Sequence, residues 1–76
     1  MIECVFLAGT FWLKGFLFNS DEFLIRVDKI QMVSPDYEGL TRTGGTTIKL
    51  VGEDLSVQDS VGEVMAALGD CNERTD

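Results

Sequence analysis

"CVFLAGTFWLKGFLF", residues 4–18, is the most apolar stretch of the chain, and Lys14 is its only charge. A membrane-spanning helix needs roughly 20 consecutive apolar residues, and this run is shorter and broken by Gly9, Thr10, Lys14 and Gly15. Val, Phe and Trp favour extended backbone, while "AGT" at 8–10 has turn composition. The stretch is therefore predicted to be two strands, 2–8 and 11–18, joined by a short turn. Alternation along the second strand sends Phe11, Leu13 and Leu17 one way and Trp12, Phe16 and Phe18 the other. A strand that is apolar on both faces needs cover on both. The rest of the domain covers one face. A second copy of the chain is the expected cover for the other, with Phe11, Trp12, Phe16 and Phe18 as the interface.

The remaining sequence reads outward from that hairpin. "NSDE" at 19–22 is a polar turn cluster leading to strands at 23–27 and 30–33. Pro35, which lacks an N–H, suits an edge strand or a strand exit. "PDYEGLTRTGG" at 35–45 is predicted as an exposed, mobile loop or the tip of a long hairpin. Asp36, Tyr37, Glu38 and Arg42 within it are candidate partner contacts. "TTIKLVG" alternates as a strand, "GED" turns the chain, and 55–57 forms another short strand. Ser60 followed by Glu63 has the form of a capping box. Val61, Val64, Met65 and Leu68 then fall at i, i+3, i+4 and i+7, giving a helix with one apolar stripe. Gly69 suits a helix C-terminus, so the domain is expected to occupy 1–69, with 70–76 as a flexible polar tail. The fold class expected is α+β, mainly β: a strongly bent antiparallel sheet or half-open small barrel of about five strands, with one C-terminal helix.

"LIRVDKIQMV" followed by "GTTIKLVGEDLSVQDSVGEVMAAL" resembles the FlbD-like family of small flagellar-motility proteins and related short bacterial and phage proteins. The resemblance covers about residues 24–68 and rests on element order: strand, Asp-containing turn to an isoleucine, strand, Gly-containing hairpin and terminal Ser-Val-x-x-Val helix. It implies a small accessory protein that acts through protein contacts, and it assigns no catalytic residue.

Composition narrows the chemistry. A domain of 76 residues buries only about 60% of its unfolded surface, so it needs dense packing, a cross-link or self-association. Cys4 and Cys71 are too few and too scattered for the disulfide framework of a secreted mini-protein, and a bridge between them is not the expectation. With no histidine and no closely spaced cysteines, neither a tetrahedral zinc site nor a His-based general base can be assembled. No metal, cofactor or catalytic residue is assigned. The acidic pairs Asp21/Glu22, Asp36/Glu38 and Glu53/Asp54 fall in expected turns, where solvation explains them better than acid/base chemistry does. "RTGGTT" precedes a strand and not a helix, so it is read as a hairpin turn and not as a phosphate loop.

A formal charge of −7 repels nucleic acid and anionic membranes. Glu3 is the only charge ahead of the apolar run, unlike the positive start of a secretory signal, so a cytoplasmic protein is expected. The function expected is that of a non-enzymatic accessory or regulatory protein working through protein–protein contacts as a homo-oligomer. The alternatives are a phage or mobile-element inhibitor whose acidic surface blocks a nucleic-acid-binding host protein, and a small-molecule binder with a pocket between subunits.

Overall fold

In the computed structural model, residues 1–38 and 40–73 are described, with the backbone alone for Glu38 and Arg42. The elements run β1 (Glu3–Leu7), β2 (Thr10–Phe16), β3 (Glu22–Arg26), a 3-10 turn (Val27–Lys29), β4 (Ile30–Glu38), β5 (Thr41–Leu50), β6 (Glu53–Val57) and α1 (Val61–Glu73). They form two antiparallel three-stranded sheets, β1-β2-β3 and β4-β5-β6.

The first hairpin forms as its sequence predicts. Ala8 and Gly9 both have positive φ, 52° and 76°, and set Leu7 opposite Thr10 and Val5 opposite Trp12. Such a two-residue turn matches the right-handed twist of the strands it joins. The second connection is closed by two backbone bonds, from Leu17 N to Asp21 O and from Ser20 N to Leu17 O. Asn19 Oδ1 accepts from the Asp21 amide, a local bond that favours a turn over continued strand.

The fold class is α+β and mainly β, but the described residues form six strands where about five were expected, and they close no barrel. One reason the barrel stays open is that the polar run 35–45 adds no strand but lengthens β4 and β5 into a long hairpin. The hairpin reading of that run is the one realised, with β4 and β5 paired from Ile30/Leu50 to Glu38/Thr41. Ten residues of β5 span about 33 Å, which accounts for most of the molecule's 41 Å long axis. The other reason is that the two sheets touch by strand pairing at a single point, the Leu17–Val57 bridge. Phe18 N donates to Ser56 O and Gln58 N to Phe16 O beside it.

Leu13 of β2, Ile48 of β5, Val57 of β6 and Val64 of α1 are fully buried and form the centre of the core. Thr46 is buried with them because its Oγ1 donates to Asp59 O at 2.8 Å. Asp59 Oδ2 in turn accepts from Ile2 N at 2.9 Å, which fixes the chain start beside the helix. The capping box is present: the Glu63 amide donates to Ser60 Oγ and the Ser60 amide to Glu63 Oε1, each at 3.2 Å.

Two expectations about the C-terminal segment are corrected. The helix does not stop at Gly69 but runs to Glu73, so 70–73 are helix and not tail; 74–76 lie outside the described residues. Nor are the cysteines free, because Cys4 and Cys71 form a disulfide. Each correction explains the other. The buried face of α1 is Val64, Ala67 and Cys71, with Leu68 half-buried and Met65 in solvent. A glycine inside a helix costs about 1 kcal/mol relative to alanine, and the bond from Cys71 to β1 holds the turn beyond Gly69 in place.

Candidate functional site

The register of the first sheet defines its two faces. Cys4, Leu13, Phe23 and Ile25 point to the core, and Glu3, Val5, Leu7, Trp12, Lys14, Phe16, Glu22, Leu24 and Arg26 alternate onto the outer face. That outer face is apolar along its middle. Leu7, Phe16 and Leu24 are 50%, 41% and 46% exposed, and Val5 and Trp12 are half-buried beside them. Trp12 is held across the hairpin by a bond from its Nε1 to Leu7 O at 3.2 Å. Val5, Leu7, Lys14, Glu22 and Leu24 line a shallow groove of about 310 Å³. Lys14 and Glu22 face each other over it at 3.7 Å, an exposed pair of small energetic weight.

The four rings expected to share one interface are separated. Trp12 and Phe16 lie on the outer face as the alternation predicts. Phe11 is on the core side, at the turn end, where its ring centroid sits 4.9 Å from that of Phe6 in a tilted pair. Phe18 lies past the end of β2 and crosses to the second sheet, where its ring occupies the space above Gly45. What alternation within β2 alone misses is the neighbours that complete the patch: Val5, Leu7 and Leu24. The two-residue turn at Ala8 and Gly9 carries that signal, since it fixes which β1 residues stand beside Trp12.

The second group of candidate residues is on the β4–β5 hairpin. Tyr37 is 58% exposed, whereas Asp36 is half-buried and accepts from Thr47 Oγ1 through Oδ1. Glu38 and Arg42 fall on paired strand backbone, opposite Thr41 and Tyr37; their side chains lie outside the described residues. The fold brings part of the two groups together: Phe18, Asp36, Tyr37, Thr43 and Ser56 line an open groove of about 460 Å³.

Among the described residues, no three His, Cys, Asp or Glu side chains converge as a cation site. No described helix is long and apolar enough to cross a membrane. The buried Cys4–Cys71 bond bears on location differently, because disulfides persist in oxidising surroundings and are rare where thiols are kept reduced. It weighs against the cytoplasmic expectation. The chain matches no family model, no curated protein and no solved structure.

Proposed function

We propose that this protein acts by binding other proteins, without catalysis, and that it does so as a homo-oligomer through the outer face of its first sheet. One observation carries the reading: Val5, Leu7, Trp12, Phe16 and Leu24 share a face of a sheet whose opposite face is already committed to the core. Fully burying a large apolar side chain is worth roughly 1.5 to 3 kcal/mol. A domain of this size has little stability to spare, so several such groups in water leave a large gain for association. The β4–β5 hairpin, with Tyr37 exposed beside Phe18, is the second contact surface and the one assigned to a different protein. The resemblance to small flagellar-motility proteins points the same way, toward an accessory role.

Trp12 is the only tryptophan, so its emission reports on this face alone. On dilution through the micromolar range its emission maximum is expected to move to longer wavelength as the face becomes wet. An emission maximum and iodide quenching that stay constant at every concentration overturn the reading.

A further inference from the structure

The two sheets differ in how their edges are protected. In the second sheet, edge strand β4 carries Pro35 and two irregularities of register, and β6 is bridged to the end of β2. In the first sheet, β1 is bonded to the helix through Cys4–Cys71. β3 has none of these devices. It is an edge strand whose five residues, "EFLIR", pair with β2 on one side and, among the described residues, with no strand on the other. Natural edge strands are usually blunted by Pro, Lys, a bulge or a covering element, because an open edge is a template for another chain.

We infer that β3 pairs antiparallel with β3 of a second copy about a two-fold axis at Leu24, joining two first sheets into one six-stranded sheet. The inference rests on the self-association proposed above and adds an edge contact to it; edge pairing leaves both outer faces on one side and uncovered, so the face-to-face contact remains a separate one. The argument is charge complementarity. A two-fold axis perpendicular to the sheet keeps both outer faces on one side and pairs residues of like parity. Centred on Leu24, it sets Glu22 opposite Arg26 of the second copy, and Arg26 opposite Glu22, with Phe23 opposite Ile25 on the core side. Opposite charges placed directly across antiparallel strands stabilise the pair, and like charges destabilise it.

The neighbouring registers lose this match. Centred on Ile25, Glu22 faces Asp28 twice; centred on Phe23, Arg26 faces Ser20 and Glu22 faces Leu24. The existing partners do not compete strongly. The Lys14–Glu22 and Arg26–Asp28 pairs, at 3.7 and 2.7 Å, have side chains roughly half exposed. The Leu24-centred register also sets the two apolar faces edge to edge, with the two Leu24 side chains at the seam.

Charge reversal tests this by sedimentation equilibrium at physiological salt, with dilute thermal melts confirming that each variant is folded. Glu22→Arg leaves two positive ends and Arg26→Glu two negative ends, so each variant alone is expected to dimerise about tenfold more weakly or worse than the original chain. An equimolar mixture of the two is expected to recover the heterodimer. The double variant Glu22→Arg/Arg26→Glu is expected to self-associate as the original does. If the original chain dimerises and both single variants match it, the β3 register is overturned while self-association through the outer face stands; if the single variants weaken but their mixture does not recover, the β3 register is overturned. An original chain that is monomeric across the micromolar range overturns both.

Discussion

Phe18 and Gly45 occupy a single space: a Cβ placed on Gly45 would lie 2.2 Å from Phe18 Cζ and 2.8 Å from Val57 O. Phe18 is 49% exposed, yet its ring closes over Gly45 of β5, where no side chain stands in its way. The contact joins the end of the first sheet to the middle of the second, next to the Leu17–Val57 bridge. Gly45→Ala should therefore destabilise the fold by about 1 to 3 kcal/mol, the usual cost of overpacking. The same substitution in a Phe18→Ala background should cost less, since only the Val57 carbonyl remains in the way. Urea unfolding midpoints of the four members of this cycle measure the coupling, and equal costs in both backgrounds would refute the contact.

Cys4 and Cys71 are 67 positions apart, with the sulfurs buried against the core. Cross-linking a loop of that length removes enough unfolded-state entropy to stabilise the fold by about 4 kcal/mol. Reduction, or Cys4→Ser with Cys71→Ser, is expected to lower the urea midpoint and to release the last turn of α1 first. Protection of the 69–73 amides from hydrogen exchange reads the second effect. An unchanged midpoint would show that the helix holds without the bond.

Ala8 has a φ of 52°, a conformation unfavourable for an L residue other than Asn, Asp or Gly. Ala8→Asn creates the Asn-Gly pair preferred in this class of turn and should raise stability by about 0.5 to 1 kcal/mol. Gly9→Ala should lower it. Thermal melts distinguish the two directions.

Much of the fold was legible because local chemistry and burial agree at those positions. Ala8 and Gly9 marked the first turn, and Ser60 with Glu63 marked the helix start. Alternation set Leu13 on one face of its strand, and the helical stripe included Val64; both are core. The illegible parts depend on contacts distant in sequence. Cys71 looked like part of a polar tail because its partner lies at the opposite end of the chain. Gly69 looked like a helix stop because the bond that carries the helix past it is tertiary. The polar run 35–45 left loop and long hairpin both open, since the bonds that order its arms, such as Thr47 to Asp36, join side chains eleven residues apart. At the candidate site, alternation placed Trp12 and Phe16 together. It could not show that Phe18 crosses to Gly45, or that Val5, Leu7 and Leu24 complete the face.

The most direct test of the central claim is the mass in solution, by size-exclusion chromatography with light scattering across the micromolar range. The chain is expected at a multiple of its 8.4 kDa protomer mass. Leu7→Asp with Phe16→Asp, two changes at exposed positions of the outer face, should lower that mass by removing the face contact and leaving only the β3 edge pair, with the thermal melt at low concentration unaltered. A mass of 8.4 kDa for the unsubstituted chain at every concentration would contradict the account.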